Sequence, residues 1–330
     1  MARIYYDSDA DLAHLEGSAV AVLGYGNQGR AQALNLRDSG VRVVVGNVRD
    51  ESWERALADG FEVLPLAEAA ARAQILMLLV PDEVQREVYE RDLAPRLRAG
   101  QALCFAHGYN IRYNLIRPPA ALDVFLVAPR MIGVKVRQAF TAGGGAPAFL
   151  AVAQDATGRA LQRALALARG IGATRAGVIE CTFAQETELD LFTEQGLWPG
   201  VMKLFAQAYE FLVEQGFPPE MVVLELYGSG EAAEIFHQMS QTGFFRQMAF
   251  HSHTSQYGTL TRQRRVDTAA LRKLMQQALD EIRGGEFARE WAAEQQAGYP
   301  LFERLKREAL AHPLNQVEQK VSELIRVGGH

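Results

Sequence analysis

The first half of the chain alternates short apolar runs with amphipathic stretches. Residues 20–24, 41–45, 75–80, 102–106 and 124–128 are dominated by Val, Leu, Ile, Ala and Phe, lie beside Gly, Pro or Asp, and read as strands. Between them, residues 30–38 and 53–58 place apolar side chains at helical spacing. This rhythm predicts a parallel sheet with helices on both faces. The run Gly143-Gly144-Gly145 marks a loop, and 149–153 reads as a further strand. From Thr182 onward the periodicity becomes helical with little strand signal, broken at Gly196, Pro199-Gly200, Pro218-Pro219 and Gly228-Ser229-Gly230. The expected fold is therefore α/β: a Rossmann domain over 1–181, then an all-α domain over 182–330.

Composition narrows the function without naming it. A chain of 330 residues can bury two cores. A net charge of −5 with no run of Lys or Arg gives no footprint for nucleic acid. The N-terminal residues 1–11 lack a signal-peptide pattern, and the apolar run 75–80 is too short to span a bilayer. No membrane partner is expected, and the expected address is the cytoplasm. Cys104 and Cys181 are the only cysteines and lack metal-type spacing, so both are expected as unpaired thiols.

The strand at 20–23 runs into Gly24-Tyr25-Gly26-Asn27-Gln28-Gly29 and then a helical pattern. In this context Gly24 permits the tight turn, Gly26 admits a pyrophosphate against the backbone, and Gly29 lets helix pack on strand. The helix N-terminus then turns its open N–H groups to the phosphates. A dinucleotide is the expected cofactor, with all six loop residues beside it. After the second strand comes Asn47-Val48-Arg49-Asp50-Glu51-Ser52. An acid there accepts from a ribose 2′-hydroxyl and repels a 2′-phosphate, whereas Arg49 suits the phosphate. The acids also suit the first turn of a helix. Arg49, Asp50 and Ser52 are the expected ribose contacts, with NADH slightly favoured over NADPH.

Thr182-Phe183-Ala184-Gln185 has capping-box spacing. On the helix it opens, Glu186, Glu188, Asp190 and Glu194 follow, and Asp190 and Glu194, four apart, share a face that can hold a hard cation such as Mg²⁺. Read alone, such acids equally describe a solvated face, as do Glu225, Glu231 and Glu234. His107 falls just past a strand's carboxyl end, where open α/β sheets bind ligands, and can move protons near neutral pH. His251-Ser252-His253 reads as surface more readily than as a metal site.

Taken together, these motifs resemble the ketol-acid reductoisomerase family in its short bacterial form, over essentially the whole length. The resemblance runs through Tyr5-Tyr6-Asp7, the Gly24 loop, Leu79-Val80-Pro81-Asp82-Glu83, Phe105-Ala106-His107-Gly108, Ala128-Pro129, Gly143-Gly144-Gly145 and Ala311-His312-Pro313. Its most specific part is Glu186-Thr187-Glu188-Leu189-Asp190-Leu191-Phe192-Thr193-Glu194-Gln195. It implies a Mg²⁺-dependent alkyl shift in a 2-aceto-2-hydroxy acid, followed by reduction with NAD(P)H, in branched-chain amino-acid synthesis. It further implies Asp190 and Glu194 as metal ligands, His107 beside the substrate, Pro129 beside the cofactor, and Ser252 on the substrate carboxylate. A knotted helical domain is implied too, in a homodimer or higher oligomer whose partner chain lends a second acidic pair.

Three departures fall at the implied site. The second acidic pair, two glutamates four apart, falls on Tyr227 and Glu231 in ungapped register from Gln256-Tyr257-Gly258, and Glu225 reaches the first place only by a shift at Gly228 and Gly230. Glu231 is thus the expected metal-binding and catalytic acid of that pair. A family lysine is replaced by Arg130, which keeps the charge in a planar form and is expected among the catalytic groups. Leu197-Trp198-Pro199-Gly200 is bulkier than the family's small residues, and Pro199 is expected to kink its helix. An alternative expectation is a paralogue that reduces another 2-keto acid or an imine without the isomerisation. A nucleotide-binding protein without turnover fits poorly with Asp190, Glu194 and His107 together.

Overall fold

The computed structural model describes residues 2–324; Met1 and the last residues of the expected helical domain, 325–330, lie outside the described residues. The chain divides into two compact units, Met1–Leu189 and Asp190–His330, and the division falls within the helix Phe183–Phe192.

The first unit is built on nine strands: β1 (Ile4–Tyr5), β2 (Val20–Leu23), β3 (Val43–Gly46), β4 (Val63–Leu64), β5 (Ile75–Leu78), β6 (Ala102–Phe105), β7 (Asp123–Pro129), β8 (Ala148–Gln154) and β9 (Val178–Glu180). They pair in the order β1-β9-β8-β7-β6-β5-β2-β3-β4. Read from β4, the run β4-β3-β2-β5-β6-β7 is the doubly wound dinucleotide-binding order, and it reverses direction between β2 and β5. All pairs in that run are parallel, in register Val20↔Val43 and Val20↔Ile75. The expectation of a purely parallel sheet needs correcting at one edge. The strand expected at 149–153 is β8, and it lies antiparallel to β7; β1 likewise lies antiparallel to β9.

Strand alternation sorts the core onto two faces. Val20, Val22, Met77, Cys104 and Phe125 pack on one side, under the helices Asn27–Asp38 and Ala160–Gly170. Ala21, Leu23, Leu76, Leu78, Phe105 and Leu126 pack on the other. Both faces are covered, which explains why the strands read as unbroken apolar runs. At the amino end of β7 the fully buried Asp123 takes an ion pair from Arg163 at 2.8 Å and two hydrogen bonds from Thr157, at 3.0 and 2.7 Å. Arg163→Met strands that carboxylate and is expected to cost roughly 3–5 kcal/mol in denaturant unfolding, as for other broken buried pairs; an unchanged midpoint would show the pair to be dispensable.

The second unit is helical. After a π turn over Thr193–Leu197 come Trp198–Glu214, Pro219–Val223, Glu231–Thr242, His253–Arg262, Thr268–Gly284, Glu286–Gln296, Pro300–Leu310 and Pro313–Leu324. Pro199 stands in the first turn of Trp198–Glu214, where its missing N–H is not needed, and the turn ahead of it is widened. A second π turn, Leu224–Gly228, precedes Gly230, whose φ of +85° starts a new helix at Glu231. Tyr227 packs with Tyr209, Val222, Val223 and Val321, and its hydroxyl donates to Glu318 at 2.5 Å. Among the described residues no helix is long and apolar enough to cross a membrane.

Candidate active site

A cleft of about 720 Å³ opens at the carboxyl ends of β2 and β5, where the strand order reverses. The glycine loop forms its floor. Gly24 sits at φ +100° against the backbone of Val80, and a Cβ on Gly29 would lie 2.0 Å from the Gly24 carbonyl oxygen. Helix Asn27–Asp38 therefore packs directly on the turn. Beside Gly26 the space is open, with no atom within 4 Å of an added Cβ. Gly26 caps the helix without a side-chain acceptor, so the first N–H groups are left for a ligand. Asn27 and Gln28 line the cleft, and Gln28 Nε2 is steadied by donating to the Met131 carbonyl at 2.7 Å.

Tyr25 plays a different part from its neighbours. Its ring is buried edge-on to Phe61, and its hydroxyl donates to Asp59 at 2.8 Å. Arg30 grips the same carboxylate at 2.7 and 3.0 Å, and this hydrogen bonding holds the Asp59 carboxyl below its usual range. Asp59 ends the helix Glu51–Ala58, so Tyr25 ties the glycine loop to the helix that begins after the loop 47–50.

In that loop the two readings of the acids converge on one residue. Asp50 Oδ1 accepts from Ser52 N at 2.9 Å, Trp53 N at 3.0 Å and Asn47 Nδ2 at 2.9 Å, which makes it the helix N-cap. Asp50 and Ser52 also line the cleft. The Arg49 guanidinium stacks on the Trp53 ring, 4.8 Å from its centroid.

At the far end of the cleft, polar groups converge from the ends of β5, β6 and β7. His107 follows β6, and its Nδ1 lies 2.5 Å from Asp82 Oδ2. Gly108 N–H donates to Glu186 Oε2 at 2.8 Å. Arg130 follows Pro129, the buried last residue of β7; it pairs with Glu186 Oε1 at 3.3 Å and stacks on Phe149 at 5.1 Å. The Glu186 side chain is wholly buried. Its helix starts with the expected reciprocal cap: Gln185 N donates to Thr182 Oγ1 at 3.1 Å and Thr182 N to Gln185 Oε1 at 3.0 Å. Helix Phe183–Phe192 carries Asp190 one turn beyond Glu186, and ligand atoms of His107, Glu186 and Asp190 lie within 4.8 Å of one another.

The remaining sequence-derived candidates belong to the second unit. Glu194 is exposed on the π turn, and Glu231 is exposed at the start of its helix. Ser252 caps His253–Arg262, accepting from Ser255 N at 3.2 Å, and His251 bonds Gln247 at 3.0 Å. Sequence reasoning passed over two groups, Glu186 and Asp82. Glu186 stands four residues before Asp190, and Asp82 comes just after a strand run and Pro81, which were the available signals. Both cysteines are unpaired, as expected; burial pushes Cys104 up to about 12 and Cys181 to about 11, so neither offers a thiolate.

A doubly wound sheet, an open glycine loop and a histidine–carboxylate cluster at the strand ends define a nicotinamide-dependent oxidoreductase. Residues 14–177 match the family model for the acetohydroxy acid isomeroreductase NADPH-binding domain, and 183–327 that for the ketol-acid reductoisomerase C-terminal domain. The ketol-acid reductoisomerase (NADP(+)) of Pyrobaculum calidifontis is 47% identical over 98% of this chain and 99% of its own. That of Pyrobaculum aerophilum is 45% identical over the same shares. The structure of an NADH-preferring ketol-acid reductoisomerase from an uncultured archean superposes with a TM-score of 0.92 at 39% identity, covering 98% of this chain and 99% of that one. The chain belongs to the ketol-acid reductoisomerase family.

Proposed function

We propose that this protein converts a 2-aceto-2-hydroxy acid such as 2-acetolactate into the 2,3-dihydroxy acid, using NAD(P)H and Mg²⁺. The observation that carries the reading is the gathering of His107, Glu186 and Asp190 within 4.8 Å of one another at the end of an open dinucleotide cleft. Carboxylate oxygens suit a hard divalent ion, so Asp190 fits Mg²⁺, with Glu186 and His107 beside it in other roles; the open side of Gly26 and the uncapped helix start suit a pyrophosphate. When bound, the cation supplies Lewis acidity for the alkyl shift and the reduced nicotinamide supplies the hydride.

The chain's residues divide the work as follows. Gly24, Gly26, Asn27, Gln28 and Gly29 hold the pyrophosphate, with Tyr25 bracing the loop from below and Pro129 closing the cofactor's far side. Asp190 and Glu194 hold the metal. Glu186, already committed to Gly108 N–H and Arg130, fixes the cationic Arg130 beside the substrate. His107 faces the substrate's oxygens, and Ser252 takes its carboxylate. Glu231, with Glu225, serves a second cation across a dimer. Dimerisation is supported by apolar side chains left on the second unit's surface, including Leu204 at 70% and Phe250 at 67% exposure. On this reading residues 1–181 bind the dinucleotide, and 182–330 supply metal, substrate and partner contacts.

The test is NADH or NADPH oxidation by the purified protein with 2-acetolactate and Mg²⁺. Oxidation that requires both substrate and metal is expected; none with either cofactor overturns the proposal. A second reading, reduction without isomerisation, draws on the break at Gly230, which puts Glu225 and Glu231 on separate helical segments. For the cofactor, we propose that Asp50 favours NADH through repulsion of a 2′-phosphate. Asp50→Asn keeps an equally good N-cap but removes the charge. KM for NADPH is expected to fall about tenfold, equivalent to about 1.4 kcal/mol, with little change for NADH; an unchanged ratio would place the carboxylate away from the ribose.

A further inference from the structure

A short contact joins His107 to a residue with no part in the scheme above. Asp82 Oδ2 lies 2.5 Å from His107 Nδ1. A carboxylate in its ionised form can only accept a hydrogen bond, and facing it Nδ1 would be the donor and carry a ring proton. Asp82 is itself held in place. Gln85 Nε2 donates to Asp82 Oδ1 at 3.1 Å and to the Val80 carbonyl at 3.0 Å. Asn110 Nδ2 donates to Gln85 Oε1 at 3.1 Å and to the Asp82 carbonyl at 3.0 Å. Asn110 is wholly buried and Gln85 nearly so. The Tyr109 ring, 6.0 Å from His107, packs beside the imidazole. These bonds tie the turn after β5 to the turn after β6.

We propose that Asp82 is a positioning residue that fixes His107 in its Nδ1–H tautomer, leaving Nε2 as the ring's acceptor for the substrate hydroxyl. This deepens the reductoisomerase reading and rests on it for the identity of the substrate. The arrangement follows a recurrent logic, in which a buried acid orients an imidazole by binding its far nitrogen.

Asp82→Asn gives a sharp test, because Gln85 already fixes which way an asparagine must turn. Its oxygen would face the Gln85 donor, so its amide would face His107 Nδ1 and donate to it. The tautomer should therefore invert to Nε2–H. The chain has 7 histidines, so ¹⁵N-histidine spectra are tractable, with His107→Gln identifying the relevant signals. The wild type is expected in the Nδ1–H form and Asp82→Asn in the Nε2–H form. Adding Gln85→Leu frees the asparagine to turn and should restore part of the Nδ1–H population. In kinetics, Asp82→Asn should lower kcat about 10–100-fold, as for other groups that orient a site residue from behind, with NADH affinity retained. A wild-type ring in the Nε2–H form, or a tautomer indifferent to Asp82→Asn, overturns the proposal. The wild-type spectrum needs no variant to fold. A wild type silent towards 2-acetolactate would instead sink the substrate assignment, and the spectra would still decide the tautomer.

Discussion

Asp190→Asn is expected to abolish metal-dependent turnover and to leave NADH binding in place. Asp190 is half-buried on the same helix as Glu186, one turn on, and belongs with His107 to the cluster at the strand ends. Glu186 is wholly buried and occupied by Gly108 N–H and Arg130, so it cannot replace a lost ligand without unpairing Arg130. Asparagine keeps the shape and loses the anionic charge on which affinity for a hard cation depends. A cation used as a Lewis acid stabilises the transition state by several kcal/mol, so kcat should fall by roughly 10³-fold or more. Mg²⁺ titration calorimetry should show weakened binding in parallel. Retained activity at ordinary Mg²⁺ would refute Asp190 as a ligand.

Gly29→Ala is expected to weaken the binding of both cofactors together. The new Cβ would lie 2.0 Å from the Gly24 carbonyl oxygen and 2.9 Å from its carbon. Both atoms are backbone, so relief requires moving the loop or the helix start away from the geometry that admits a pyrophosphate. NADH and NADPH affinities should weaken alike, in contrast to Asp50→Asn, which changes their ratio. Gly26→Ala is the companion variant. Its Cβ meets nothing within 4 Å, so Tm should hold while affinity falls, because the methyl enters the space reserved for phosphate. Fluorescence titration with each cofactor separates these outcomes, and an unaffected Gly29→Ala would show that the loop tolerates the shift.

The dinucleotide cleft was legible because its requirements are local. Gly24, Gly26 and Gly29 answer to one turn and one helix start, and the strands on either side are buried enough to read as apolar runs. Strands β4 and β9 escaped notice because two or three residues, Val63–Leu64 and Val178–Glu180, carry no periodicity. The antiparallel β8 reads like any other strand, since direction is a property of its pairing rather than of its composition. At the chemical end, His107 and Asp190 were visible one at a time. Glu186 looked like one acid among several on a helix face, and only its partners, Gly108 from another segment and Arg130 from a third, show that it is buried. Asp82 was hidden for the same reason, being 25 residues from His107 in sequence. Tyr227, a departure at the implied second acidic pair, packs into the helical unit's own core and bonds Glu318, a use that no spacing rule announces.

On the proposed function, one site performs both the rearrangement and the reduction. The most direct measurement compares two substrates under the same conditions, with Mg²⁺ and NADH: 2-acetolactate, and the 2-keto acid that its alkyl shift produces. Oxidation of NADH with both, with turnover of 2-acetolactate requiring Mg²⁺, is the predicted result. Turnover of the rearranged keto acid alone, with 2-acetolactate left untouched, would contradict it and leave a reductase without the isomerase.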